Sequence, residues 1–444
     1  MSRERGRTPD PRRFDLGGGA LGVFEPSHDV PLVSIVFALR GGSALDPAGK
    51  SGLARLALRM LRRGCEGMTA EEIDFRIDSL GAEMAVDTSS STVGVHAQVI
   101  ARNVDAFVDL LTRLLSTPAF PLDQLDRLKR ETIAEIVEAR DNDRVVAQKA
   151  LQRTLFEGHA YGNNAGGTTQ TVAAVTRDDV VAFCRRYLVR GNVVVGLAGD
   201  VTEDRATALA ARLAQALAPG SAAPDDVPEP RPRAGRYLLV VDKPNRTQTQ
   251  MVVGALGTSP GDDDHVALVV ANAVFGGTFT SRLMREIRSK RGWAYGASSR
   301  AAIDRHRQAW VMSTFPSAQD CGPCLNLAIQ LLDAWVTEGV TRREVAFIQR
   351  YLVRSHAFDV DTAAKRLHQA LDVELFGLPG DYFSAWTDHV RAVTPESANA
   401  AIRNRIRPSD LLAVVVGTAS QVLDPLREAI PDLAGASVVP FDAE

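Results

Sequence analysis

A chain that repeats its own pattern at a fixed interval has few folds open to it, and this one repeats at 218 residues. Val175-Thr176 opens a helix that runs to Tyr187. Behind it lies an apolar strand, Val193-Val194-Val195-Gly196-Leu197, ending at Gly199-Asp200. Val393-Thr394, a helix and a strand over Leu411 to Val416 ending at Gly417 restate that order, with the same offset at the capping threonine and the closing glycine. An early strand and helix recur at nearly the same spacing, as Met251 to Leu256 and then His265 to Phe275. Two copies of one α+β unit, each of roughly 200 residues, meet this pattern. Between them, Pro219 to Gly235 carries prolines at 219, 224, 228, 230 and 232 and little that is apolar, which reads as a linker. The expected order is a tail over 1–24, a first domain over 25–218, the linker 219–235, a second domain over 236–430 and a tail over 431–444.

Composition narrows the class. At 444 residues, with 45% apolar and 24% charged, the chain reads as a globular protein of more than one core. A net charge of -3 argues against nucleic acid as partner. The Arg-rich start from Met1 to Arg13 has no apolar segment behind it, and no stretch reaches membrane-spanning length. A cytoplasmic location is expected, or a periplasmic one if an export signal is missing from this start, with no membrane partner. Cys65, Cys184, Cys321 and Cys324 do not form a disulfide framework. Cys321-Gly322-Pro323-Cys324 has thioredoxin-type spacing but follows Ser317-Ala318-Gln319-Asp320, without the aromatic and strand context of a redox site.

The stretch from Lys50 to Arg63 follows a strand at Val33 to Leu39 and a turn at Gly41-Gly42-Ser43. Ser51 is its expected N-cap and Gly64 its end. Leu53, Ala57, Met60 and Leu61 share one face, while Arg55, Arg59, Arg62 and Arg63 form a basic stripe on another. Taken alone, such a stripe is a solvated face. Lys50-Ser51-Gly52-Leu53-Ala54 and the later Met60, however, resemble the zinc helix of the insulinase/pitrilysin peptidases, which include the mitochondrial processing peptidases. In that family His-x-x-Glu-His supplies two zinc ligands and a general base. The matching positions are Arg55, Leu58 and Arg59. A guanidinium stays protonated and has no lone pair for zinc, and a leucine cannot accept a proton from water.

The resemblance extends to a glutamate on a later helix that completes the family's metal site. The match is Glu135, in Arg130-Glu131-Thr132-Ile133-Ala134-Glu135-Ile136. The expected outcome is that Arg55 and Arg59 fill the metal's place and pair with that carboxylate. In the second half, Phe275-Gly276-Gly277-Thr278-Phe279-Thr280-Ser281-Arg282-Leu283 leads to Arg288-Ser289-Lys290-Arg291-Gly292-Trp293-Ala294-Tyr295-Gly296. This resembles the family's Arg/Tyr segment, whose pair falls on Arg291 and Tyr295. There the arginine binds substrate backbone and the tyrosine supports the oxyanion.

His28, His96, His159, His265, His306, His356, His368 and His389 show no ligand spacing and read as structural or surface residues. Gly276-Gly277 lacks the lysine of a phosphate loop.

The resemblance implies two homologous halves, each a mainly antiparallel sheet covered by helices, facing each other as a clam shell in an α+β fold. It implies a non-catalytic, substrate-binding subunit of a heterodimeric zinc metalloendopeptidase. No metal or cofactor is expected in this chain, and zinc is expected in a homologous partner subunit bearing the intact motif. Arg291 and Tyr295 would serve that partner's site, with a peptide as substrate. The alternatives are a catalytically inactive structural or assembly protein and a peptide-binding chamber of the same fold.

Overall fold

Both copies of the repeat build the same sheet. The computed structural model describes residues 11–224 and 226–444, so the first ten residues of the expected tail lie outside it. The first sheet contains β1 (Arg12–Gly17), β2 (Ala20–Pro26), β3 (Leu32–Arg40), β4 (Ala82–Thr88), β5 (Thr92–Ile100) and β6 (Val193–Gly199). The second contains β7 (Arg236–Asp242), β8 (Gln250–Leu256), β9 (Ala297–Ala301), β10 (Ala309–Thr314), β11 (Leu412–Gly417) and β12 (Leu433–Pro440). Their orders are β1-β2-β6-β3-β5-β4 and β12-β7-β11-β8-β10-β9. Five strands correspond one to one, and the sixth is an edge strand taken from opposite ends of the chain. Neighbours are antiparallel except β2 with β6, and β7 with β11 and β12. The α+β class, with mainly antiparallel sheets covered by helices, is the one expected.

The two edge strands correct the sequence reading, which left 1–24 and 431–444 as tails. Gly18 and Gly19, both at positive φ, close a two-residue turn in which Gly17 pairs with Ala20. That turn folds β1 back onto β2, as primed hairpin turns do. At the other terminus β12 pairs in parallel with β7 from Arg236 to Asp242. Its side chains are mostly exposed or half-buried, so it carries little apolar periodicity to read.

Two helices belong to a compact unit other than their place in the chain suggests. One unit holds the chain to Val137, residues 163–227 and residues 357–384; the other holds 138–162, 228–356 and 385–444. The helix Ala363–Phe376 therefore packs in the first unit, on β2 and β6, and the helix Asp143–Leu155 in the second, on β8 and β11. This explains why β3 is apolar on both faces. Val33, Ile35, Phe37 and Leu39 face the main core, whereas Val36 and Ala38 join Val23, Val194, Leu367 and Leu371 on the other side. A β-carbon at Gly196 would lie 2.9 Å from Leu371 Cδ1, and one at Gly254 would lie 3.0 Å from Leu151 Cδ2. Each sheet thus uses a glycine to let its helix come close.

Each of these helices is tied at its start by an ion pair at matching strand ends, with the charges reversed. Arg366 Nε donates to Glu25 Oε1 at 2.6 Å, and Arg366 Nη1 to the carbonyl of Val360. Lys243 Nζ donates to Asp143 Oδ1 at 2.7 Å and to the carbonyls of Arg140 and Asp141. Positions 25 and 243 stand 218 residues apart, the interval of the repeat, and both side chains are 8% exposed. A glutamate admits the helix carrying Arg366 and repels one starting with Asp143; a lysine does the opposite. Glu25→Lys should cost about 3 kcal/mol or more, because it leaves like charges in a buried site. Adding Arg366→Glu should return most of it. Urea unfolding of the two single variants and the double variant measures this, and purely additive losses would contradict it.

Candidate functional site

The helix Leu53–Met60 sits where a sharp turn delivers it. The expected N-cap Ser51 is corrected: Gly52 caps the helix at φ 93°. Its amide donates to Asp46 Oδ2 at 2.7 Å, and that of Ala54 to Asp46 Oδ1 at 2.8 Å. A distant carboxylate therefore satisfies the open amides of the first turn. A β-carbon on Gly52 would also sit 3.0 Å from the backbone of Gly167. Burial pushes the Asp46 carboxyl up to about 7, against the pull of those amides. Leu53, Leu56, Ala57, Leu58 and Met60 are all wholly or almost wholly buried. Leu58, matched to the family's general base, is core.

The basic stripe is not a solvated face, because each arginine meets an acid. Arg62 Nε lies 2.6 Å from Asp74 Oδ1, and Arg63 Nη2 lies 2.5 Å from Glu131 Oε2. Glu131 and Glu135 lie one turn apart on the helix Leu122–Glu138, so they face the stripe together. Arg59 grips Glu135 with both ends of its fork, Nη2 to Oε1 at 2.8 Å and Nη1 to Oε2 at 3.2 Å. Arg55 Nη2 adds 3.0 Å to Oε2, and Arg59 Nη1 also donates to Thr132 Oγ1 at 3.0 Å. The expected pairing of Glu135 with Arg55 and Arg59 is therefore present. Partial burial raises the Glu135 pKa, but the two guanidiniums lower it further, and the net direction is down. A carboxylate sharing its oxygens between two permanent cations is saturated, and the cluster offers zinc one donor residue beside two cations. The donor set does not fit the metal, and no three His, Cys, Asp or Glu side chains among the described residues converge on a metal-sized site.

The Arg291–Tyr295 segment lies in the other unit and is framed by two π-helical turns, Ala273–Gly277 and Met284–Ser289. Such wide turns recur where a side chain must be re-aimed. Gly276 belongs to this frame: a β-carbon there would lie 2.3 Å from Ser299 Oγ and 2.6 Å from its amide, so close packing on β9 accounts for that glycine. Arg282 is forked onto Glu344, with Nε to Oε1 and Nη2 to Oε2 both at 2.8 Å, and this fixes the segment to the helix Arg342–Ser355. Burial raises the Glu344 pKa, Arg282 and Thr341 lower it more, and it settles at about 2. Arg291 Nη1 donates to the Glu286 carbonyl at 3.0 Å and to Glu286 Oε2 at 3.1 Å. Tyr295 is 80% exposed. Arg288, which the sequence reading passed over, lies with its guanidinium carbon 4.9 Å from the Tyr295 ring and 4.6 Å from that of Phe279.

His265, Cys321 and Cys324 are packed in the interior. His265 is buried against Thr258 Oγ1 at 2.7 Å, and burial drives its pKa down to about 4. Cys321 and Cys324 begin the helix Cys321–Glu338 wholly buried. Burial raises both thiols, Cys324 to about 12, opposite to what an activated redox thiol requires. No helix among the described residues is long and apolar enough to cross a membrane.

Comparison with known proteins bears on the family and the fold. Residues 23–169 match the family described as Insulinase (Peptidase family M16), and residues 174–352 match the Peptidase M16 inactive domain. The chain is 23% identical over 397 residues to a Helicobacter pylori protein named "Non-peptidase homolog YmxG", across 89% of this chain and 91% of that one. It is 26% identical to an uncharacterized zinc protease of Streptomyces coelicolor, across 65% and 64% of the two chains. A crystal structure of a peptidase M16 inactive domain from Pseudomonas fluorescens superposes with a TM-score of 0.84 at 24% identity, covering 92% of this chain and 98% of that one. A protease from Helicobacter pylori superposes at 0.83 with 16% identity, covering 92% and 99%. At these identities the two structures support the fold alone.

Two outcomes follow from the site. Arg55→His with Arg59→His sets two imidazoles opposite Glu135, and the double variant should take up one equivalent of zinc near neutral pH while Arg55→Gln with Arg59→Gln takes up none. Elemental analysis after dialysis decides, and equal zinc in both variants would contradict the geometry. Because the folded Glu344 pKa lies below its ordinary 4.5, its stabilisation is complete above that pH and is lost as pH falls toward about 2. Glu344→Gln should flatten the acid limb of the unfolding profile across this window, as followed by circular dichroism.

Proposed function

The chain belongs to the insulinase family of M16 peptidases, and on that footing we propose that it is the non-catalytic, substrate-binding subunit of a two-chain zinc endopeptidase. One asymmetry carries the reading. The positions aligned with the family's metal ligands are closed by Arg55 and Arg59 on Glu135, while the positions aligned with its substrate-side pair still hold Arg291 and Tyr295. A chain kept only for its shape has no need of an exposed arginine and phenol at those two places, whereas a chain that completes another's active site does.

The partner on this reading is a homologous subunit with an intact His-x-x-Glu-His helix. It would hold the zinc and cut the peptide bond. This chain would hold the peptide: Arg291 by its backbone, through donors that Glu286 leaves free, and Tyr295 by a hydrogen bond to the oxygen that gains charge. Both residue types suit the task, since a guanidinium is a fixed cation and a phenol a neutral donor. The inactive structural or assembly role is the competing outcome.

The isolated chain should not hydrolyse a fluorogenic peptide, and mixing it with the zinc-bearing homologue should restore turnover. Tyr295→Phe should then lower kcat by about 100-fold, the usual cost of removing one oxyanion donor. Arg291→Ala should act mainly through KM. Turnover indifferent to both substitutions would leave the structural role standing and overturn this one.

A further inference from the structure

Two helices of this chain carry the same spacing of charge and ring, with opposite signs. On the helix Arg342–Ser355, Arg343, Phe347 and Arg350 fall at i, i+4 and i+7, with Tyr351 and Arg354 beside them. All five are exposed and lie within about a third of the helix circumference. The helix has one acid, Glu344, which is half-buried and taken by the fork of Arg282. Among the described residues Arg343, Arg350 and Arg354 have no acid within ion-pair reach. On the helix Ala70–Ser79, Glu71, Phe75 and Asp78 repeat the i, i+4, i+7 spacing, and all three are exposed. The other acids of that helix are engaged: Glu72 closes the capping box with Thr69, and Asp74 Oδ1 accepts from Arg62 at 2.6 Å. Arg76 points about 100° away from Phe75 around the axis. Each compact unit therefore presents one of the two stripes.

Each stripe is unfavourable while it stands alone. Arg350 and Arg354 are like charges one turn apart, which repel on a helix surface. Phe75 is 73% exposed, Phe347 47% and Tyr351 48%, so rings on both helices stand in water. Brought together, the stripes relieve both costs. Seven residues separate the outer charges on each helix, about 10 Å along the axis. An arginine therefore meets an acid at each end while Phe347 and Phe75 cover one another between them. We propose that these two faces bind each other between two copies of this chain, the helix Arg342–Ser355 of one on the helix Ala70–Ser79 of the other. The contact goes beyond the pairing with a zinc-bearing homologue, since it uses neither the Glu135 cluster nor Arg291 and Tyr295. It joins two different faces, so it closes into a dimer if both engage reciprocally and extends into a chain if they do not. One helix pair is a small interface with exposed charges, so the association is weak and falls with salt.

The test is sedimentation velocity of the full chain alone, over a range of concentrations at low and high salt. The unaltered chain should self-associate as its concentration rises and less so at high salt. Arg343→Glu with Arg350→Glu makes both faces acidic, and Glu71→Arg with Asp78→Arg makes both basic. Each double variant alone should weaken self-association by about tenfold or more. An equal mixture of the two should recover it, because each then offers the face the other lacks, and recovery requires both variants to be folded. Phe75→Ser, which changes no charge, should weaken the contact by about threefold or more. Arg185→Glu, an exposed charge change on the helix Arg177–Tyr187, should alter it by less than twofold. No concentration-dependent association of the unaltered chain, or association indifferent to either double variant, would overturn the contact. So would a mixture that stays dissociated although circular dichroism shows both variants folded. Hydrolysis on mixing with the zinc-bearing homologue is measured separately, so this contact can fail while the subunit reading stands.

Discussion

One carboxylate shared between two guanidiniums decides what this chain can do. Glu135 accepts from Arg59 at both oxygens and from Arg55 at one, at 2.8 to 3.2 Å. An arginine cannot give up its proton at any pH a protein survives, so no change of conditions frees the site for a metal. A histidine at either position would have left a reversible choice between proton and metal. The exclusion is therefore chemical rather than steric, and the same acid satisfies both arginines. Leu58, on the same helix, is packed at 0% exposure and has no atom that accepts a proton.

The frame around that site is built twice. The two sheets keep five matching strands, each admits a helix across a glycine, and each secures that helix with a nearly buried ion pair. Reversed charges at positions 25 and 243 give each sheet a preference for the helix that carries the opposite charge. Specificity of this kind comes from the mismatch a wrong pairing would create as much as from the bond the right one makes. The Arg/Tyr segment is tied down in the same way, with Arg282 forked onto Glu344 and Glu286 shared among three cations.

Much of this was legible in the chain because it is local or periodic. The capping threonines Thr176 and Thr394 mark their helices with a hydrogen bond three residues ahead, and the structure has a capping box at each. The Glu135 pairing was legible for another reason: two arginines on a helix that resembles the family's zinc helix demand an acid, and the resemblance pointed to Glu135. What escaped was non-local. The cap of the Leu53–Met60 helix comes from Asp46 across a turn, in place of the adjacent Ser51. The exchanged helices look the same in sequence wherever they dock. The hairpin at Gly18-Gly19 did carry a signal, a glycine pair between β-like residues, which the short and polar strand around it obscured. Arg288 was hidden because its partners are rings nine and seven residues away in chain order.

The central claim is that permanent cations at 55 and 59 exclude zinc from a site whose carboxylate remains. Calorimetric titration of the isolated, unaltered chain with zinc at neutral pH tests it most directly, with Glu135→Ala as the control. The account predicts no saturable site in either protein. A stoichiometric site of micromolar or better affinity that disappears on removing Glu135 would contradict it.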